Sequence, residues 1–219
     1  MTGDAGALVL GVGNVLWADE GFGVRCVEAF ARRFEPLDGL TVADGGTQGL
    51  YLVDLLREYD PVVIFVAVDF GDAPGTLRVV HDDDIPAFVG AHKMSLHQAG
   101  LQDVIACAKL LGGCARRMVL IGVQPVELED YGGSLRPGVS AALDPALATA
   151  ARYLGESGIH LTERADRPDV VDIITPGLDL DNYERGRPDD QAACRFGDER
   201  VLSRGARGDH VADRAGDGA

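Results

Sequence analysis

Two adjacent carboxylates, Asp19 and Glu20, stand in a glycine-bracketed stretch, Gly11-Val12-Gly13-Asn14-Val15-Leu16-Trp17-Ala18-Asp19-Glu20-Gly21-Phe22-Gly23. Such a pair suits general acid–base work on water or the holding of a divalent cation. The flanking glycines would let the backbone crowd a ligand. The stretch is not a dinucleotide fingerprint: G-x-G-x-x-G needs glycine where Leu16 stands, and two acids follow where a pyrophosphate would sit. A second loop, Asp44-Gly45-Gly46-Thr47-Gln48-Gly49, adds another carboxylate. Its glycines serve either a tight turn between strand and helix or the approach of a peptide or metal to the backbone. His97, within Lys93-Met94-Ser95-Leu96-His97-Gln98-Ala99-Gly100, and Asp69, within Asp69-Phe70-Gly71, extend the inventory. With Glu20 they make a carboxylate, carboxylate, imidazole set suited to nickel or zinc, with coordination positions left for substrate. His81 and His92 lack comparable neighbours, and His160 and His210 fall in a tail of different character.

The elements that must position these residues alternate. Ala7 to Val12 is a short apolar run ending in glycines, as a strand covered on both faces reads. Val24, Val27, Ala31 and Phe34 then recur at helical spacing, closed by Pro36. Leu40 to Ala43 is a second strand, and Leu52, Leu55 and Leu56 place a helix over 50–59. Val62 to Val68 is the strongest strand, with Thr76 to Val80 a short edge strand after the Pro74-Gly75 turn. A helix is expected from about His97 to Leu111, a strand over Val119 to Val123 and a last helix over Pro145 to Leu154. The alternation predicts one three-layer α/β/α domain over 1–159 with a twisted, mainly parallel sheet, whose ligands sit at the carboxyl ends of the strands. Glu20, Asp44 and Asp69 all fall at such ends. Residues 160–219 are rich in Pro, Gly, Arg and Asp and are expected to be irregular or disordered. Within them Val170 to Ile174 reads as a short docked strand and Leu178 to Asn182 as a turn.

Composition narrows the function. Against 35 Asp and Glu stand 20 Lys and Arg, a net charge of −15 that disfavours nucleic acid as a partner. No apolar run approaches the ~20 residues a bilayer span needs, so no membrane insertion is expected. The early Asp4 and the lack of an early Lys or Arg argue against a secretory signal and for the cytoplasm. Cys26, Cys107, Cys114 and Cys194 form no C-x-x-C pair and read as reduced, buried thiols. The oligomeric state is expected to be monomeric.

These motifs together resemble the hydrogenase maturation proteases, endopeptidases that remove a C-terminal extension from the large-subunit precursor of nickel–iron hydrogenases. The resemblance covers about residues 7–158 in unbroken order: LVLGVGNVLWADEGFGVR, DGGTQG, an apolar strand ending in VDFG, PGTL, KMSLHQAGLQDV and LIGVQPVELEDYGGSLRP. It is most similar to the branch serving membrane-bound uptake hydrogenases. It implies a single α/β domain, an aspartic or metal-dependent peptidase, and the precursor as partner and substrate. Nickel would be supplied by that precursor. Among the acids, Glu20, Asp19 and Asp44 are the candidate catalytic residues. Gly45, Gly46 and Thr47 would admit the substrate's extended tail. Of the family's three metal-facing positions, the first carries over to Glu20 and the last to His97. At the second, where the family has Asp, stands Val66, which cannot coordinate. Asp69 is the nearest replacement, yet three residues along a strand is ~10 Å and the opposite face. Two outcomes follow from that departure: an endopeptidase that tolerates it, or a chaperone that holds the nickel-loaded precursor without cutting. A nucleotide-binding domain is the remaining rival, resting only on Gly11 and Gly13.

Overall fold

The structure, a computed structural model, describes residues 6–91, 100–128, 131–168 and 171–186. The first strand is β1 (Ala7–Val12), followed by a 3₁₀ turn (Ala18–Gly21) and helix α1 (Phe22–Arg33). Strand β2 (Leu40–Gly46), a second 3₁₀ turn (Gly49–Leu52) and α2 (Val53–Glu58) repeat the unit. Next come β3 (Val62–Ala67), β4 (Leu77–His81), α3 (Asp84–Ala91), α4 (Gly100–Leu110) and β5 (Met118–Val123). Helices α5 (Pro137–Ser140), α6 (Leu143–Glu156) and α7 (Leu180–Gly186) complete the described chain. The strands form one five-stranded sheet in the order β2-β1-β3-β5-β4, parallel except for the antiparallel edge strand β4.

β3 reads as an uninterrupted apolar run because both its faces are covered. Val62, Ile64, Val66 and Val68 pack into a core with Leu52, Leu56, Val104 and Ile105 of the layer formed by α2, α3 and α4. Val63, Phe65 and Ala67 pack into the opposite core with Val27 and Phe30 of α1 and Leu147 and Ala150 of α6. The three-layer architecture is the expected one, with the strand order reversing at β1 and β3, where ligands collect in such sheets.

The glycines of the first motif do different work from that expected of them. A Cβ on Gly11 would lie 2.2 Å from the Gly23 carbonyl oxygen, and one on Gly23 would lie 2.3 Å from the carbonyl oxygens of both Val12 and Phe65. They crowd each other rather than a ligand, letting the first turn of α1 lie directly on β1 and β3. Gly11 and Gly23 thus serve a helix-on-sheet contact, which takes Gly11 away from the support for a nucleotide-binding reading.

Some elements depart from the sequence pattern. Helix α3 carries Pro86 within it and has no clear apolar period, so nothing in the sequence marks it. The helix expected from about His97 is described from Gly100; His97 lies outside the described residues. Val171 to Ile174 is not a strand: Val171 and Ile174 are buried against the α1 and α6 side of the core, and the Ile174 N–H bonds the Val171 carbonyl in a turn. Leu178 to Asn182 leads into α7. The boundary expected at 159 is displaced, because the compact unit runs to Arg185. Segment 160–185 is held by contacts that periodicity does not reveal: the Arg164 N–H bonds the Arg33 carbonyl (2.8 Å), and Arg33 pairs with Glu163 (2.7 Å). Among the described residues no helix is long and apolar enough to cross a membrane, and Cys26, Cys107 and Cys114 are free thiols. Cys194 lies outside the described residues.

Candidate active site

The loops after β1, β2, β3 and β5 meet at the carboxyl end of the sheet, and three polar residues stitch them together. Asp19, fully buried, joins the β1 loop to the β5 loop. The Val126 N–H donates to its Oδ2 and the Arg136 N–H to its Oδ1, each at 2.8 Å, with Arg136 Nη1 3.4 Å from Oδ2. Gln124, also buried, joins the β3 and β5 loops. Its Oε1 accepts from the N–H groups of Phe70 (2.9 Å) and Asp72 (3.2 Å), and its Nε2 donates to Asp69 Oδ1 (3.0 Å). Asp44 closes the β2 loop, accepting the Gly46 N–H at 2.8 Å, and the Gly13 N–H ties the β1 loop to the Gly46 carbonyl at 3.0 Å.

Glu20 sits inside this frame. It is wholly buried, at the third position of the 3₁₀ turn that packs on β3. The residue two before it, Ala18, is at φ 40°, the left-handed region that costs a non-glycine residue about 1 kcal/mol. The loop network holds that strain next to the acid pair.

The sequence-nominated residues are distributed as follows. Asp19, Glu20 and Asp44 share the carboxyl-end rim. Asp69 is at the same end, but its Oδ1 is committed to the Gly71 N–H (3.2 Å) and to Gln124, which gives it a turn-building part. Val66 is fully buried among apolar side chains of the α2 and α4 layer. Gly45 and Gly46 build a tight turn: a Cβ on Gly45 would meet Leu10 Cδ1 at 2.9 Å, and Gly46 has φ 45°. Thr47 is exposed beside them, and a narrow crevice lined by Val12, Gly46, Thr47, Gly49, Leu52 and Gly100 brings the first residue of α4 against this loop. Among the described residues no three His, Cys, Asp or Glu gather as a metal site. His97, the imidazole of the nominated donor set, lies outside the described residues.

Gln124, Arg25 and Glu28 were not singled out as functional from sequence. Gln124 lies in the quoted GVQP run. Arg25 and Glu28, with Arg32, form an i, i+3, i+7 charge stripe on α1 that reads as a solvated face. Instead Arg25 and Glu28 are buried, paired at 2.8 Å, and their charges bear on Asp44. Burial is the main cause that pushes the Asp44 carboxyl above its ordinary range, opposed by the Gly46 hydrogen bond and Arg25 and assisted by Glu28.

The rim is also apolar. Leu16, Leu50, Tyr51, Val126 and Tyr131 are large side chains left exposed on the loops after β1, β2 and β5, and the Tyr131 ring stands edge-on to Trp17 with centroids 5.6 Å apart. A concavity of ≈520 Å³ lies elsewhere, at the amino ends of the strands around Asp82, Cys114 and Met118. There the Met118 N–H donates to Asp82 Oδ1 at 2.7 Å and Lys109 pairs with Asp83 at 3.2 Å, so both acids have structural partners.

A raised Asp44 pKa makes a signed prediction. The folded state holds the proton more tightly than the unfolded chain. The stabilising contribution is therefore present below the ordinary carboxylate range of about 4 and is lost as pH rises through the folded-state value. Asp44→Asn keeps the acceptor for Gly46 and removes the buried charge. Its melting temperature relative to the native chain is expected to be higher at pH 7 than at pH 3.5, read by thermal denaturation at both.

The comparisons with known proteins agree with this geometry. The family profile described as hydrogenase maturation protease matches residues 24–153. The chain is 56% identical over 200 residues to the hydrogenase expression/formation protein HupD of Rhodobacter capsulatus, covering 91% of this chain and 94% of the relative. It is 40% identical over 158 residues to the hydrogenase 2 maturation protease of Escherichia coli K12, covering 72% and 95% respectively. Among solved structures it is similar to the hydrogenase maturating endopeptidase HybD from E. coli, with TM-score 0.68 and 38% identity over 73% of this chain and 98% of that one. A profile spanning more than half of the chain, and relatives matched over nearly their whole length, place the chain in the hydrogenase maturation protease family of peptidases.

Proposed function

We propose that this protein is an endopeptidase that removes the C-terminal extension of the nickel-loaded large-subunit precursor of a nickel–iron hydrogenase. The observation that carries the reading is the buried Asp19–Glu20 turn at the carboxyl ends of β1 and β3, framed by loops that Asp19 and Gln124 lock together. The two acids then have separate tasks. Asp19, both oxygens engaged, is a positioning residue; Glu20 is the carboxylate that meets the precursor. The metal arrives as part of the substrate, and Glu20 with His97 would be this chain's groups to receive it. At the scissile amide, water adds to the carbonyl carbon with its proton taken by a carboxylate, and the departing amine takes a proton as the bond breaks. The exposed apolar rim of Leu16, Val126 and Tyr131 gives the extension a surface beside that point, and the Gly45-Gly46-Thr47 turn gives it an opening.

Burial of Val66 in apolar surroundings favours one second reading, a protein that binds the nickel-loaded precursor without cutting it. Incubation of the full chain with precursor, with and without nickel, separates them by intact mass: loss of the extension from the nickel-loaded form alone is the result expected of the peptidase. A stable complex with unchanged precursor mass is the result expected of the non-cutting partner.

A further inference from the structure

Segment 178–183 is attached to α1 with a care that surface packing does not require. Glu28, 2% exposed, accepts the Leu180 N–H (3.0 Å to Oε1) while pairing with Arg25 (2.8 Å) and Arg32 (2.9 Å). Arg25 Nη1 donates to the Leu178 carbonyl at 2.7 Å, and its guanidinium lies over the Tyr183 ring, 5.5 Å from the centroid. Arg25 is in the first turn of α1, directly after the Asp19–Glu20 turn, so the segment is held at the carboxyl-end rim. Tyr183 Oη in turn donates to the Gly133 carbonyl (3.4 Å), in the loop whose Arg136 N–H binds Asp19. A continuous path of contacts therefore joins the C-terminal segment to the loop that carries the site.

The same region falls within the stretch shared with a relative. A match of 200 contiguous residues in a chain of 219 must include residues 20–200, so the Rhodobacter capsulatus relative shares the region that carries segment 178–183.

We propose that segment 178–183 is a specificity element, with Tyr183 as its positioning residue: it sets the wall formed by residues 131–136, against which the precursor's extension binds. The inference rests on the proposed function, since the partner is the same precursor. A merely structural strap would change stability; a specificity element changes affinity at constant turnover.

The test uses the full chain as native protein and as Tyr183→Ala, Tyr183→Phe and Glu28→Gln. It measures Kd for the nickel-loaded precursor, kcat and melting temperature, with a hydrogenase 2 large-subunit precursor as the second substrate. For Tyr183→Ala, Kd is expected to rise about 10-fold for the protein's own precursor, with kcat within about twofold and discrimination against the second precursor reduced. Tyr183→Phe, which keeps the ring over Arg25 but loses the hydroxyl that reaches the Gly133 carbonyl, is expected to show most of the same loss. Equal affinity across all variants, or losses in kcat that track a fall in melting temperature, would overturn the proposal and leave the proposed function standing. If the native chain binds but does not cut, the peptidase reading fails while the Kd comparison still decides the specificity element. Failure of the native chain to bind at all overturns both.

Discussion

Glu20→Gln is expected to lower the rate of precursor cleavage by about 10³-fold, the scale on which a positioned carboxylate contributes to proton transfer. Glutamine has nearly the same shape, and Glu20 lies in a turn whose backbone bonds, such as the Glu20 N–H to the Trp17 carbonyl at 2.9 Å, do not involve the side chain. The fold should therefore survive, with the loss confined to kcat. Single-turnover cleavage at saturating precursor, with a melting curve of the same sample, checks both parts. A variant that cuts at the native rate would remove Glu20 from the chemistry and return the role to Asp44.

Asp19→Ala has the largest expected effect on stability. Its carboxylate answers two backbone N–H groups at 2.8 Å and the Arg136 guanidinium, all from the β5 loop, while being itself wholly buried. Alanine leaves those donors facing a hole. A charged acceptor of this kind is worth about 3 kcal/mol, allowing for the partial exposure of Arg136. That corresponds to a fall in melting temperature of about 10 °C for a unit of this size. Asp19→Asn keeps one strong acceptor and should lose roughly half as much. Cleavage should fall in both variants in step with the loosening of the β5 loop, which amide exchange at Val126 and Arg136 would report. That coupling distinguishes a positioning acid from a catalytic one.

Much of this site was legible in the residues, for physical reasons that also explain what was not. The unbroken apolar run of β3 is dictated by helices on both faces, and the Asp19-Glu20 and Asp44-Gly45-Gly46 loops follow strands, so their place at the carboxyl rim follows from the alternation. The division of labour between Asp19 and Glu20 was not legible, because Asp19's partners, Val126 and Arg136, lie more than a hundred residues away in sequence. Gly11 and Gly23 carry a similar lesson: a glycine needed for close approach looks the same in sequence whether a ligand or a helix does the approaching. The burial of Arg25 and Glu28 depends on segment 178–183, about 150 residues on, in a stretch whose composition reads as irregular. Local periodicity has no access to a contact of that range. Val66 is the reverse case: the resemblance sets a valine where an acid is expected, and the structure adds that the position is lined with apolar neighbours.

Position 66 therefore decides between the cutting and the non-cutting reading. The direct measurement is the intact mass of nickel-loaded large-subunit precursor after incubation with the native chain, with Val66→Asp and with Glu20→Gln. The native chain is expected to shorten the precursor by its C-terminal extension, Glu20→Gln to leave it at full mass, and Val66→Asp, shown to be folded by its melting curve, to cut at least as fast as the native chain. A precursor left at full mass by the native chain and trimmed only by Val66→Asp would contradict the cutting reading, and would mark this protein as a holder of the precursor in which the protease site has been lost.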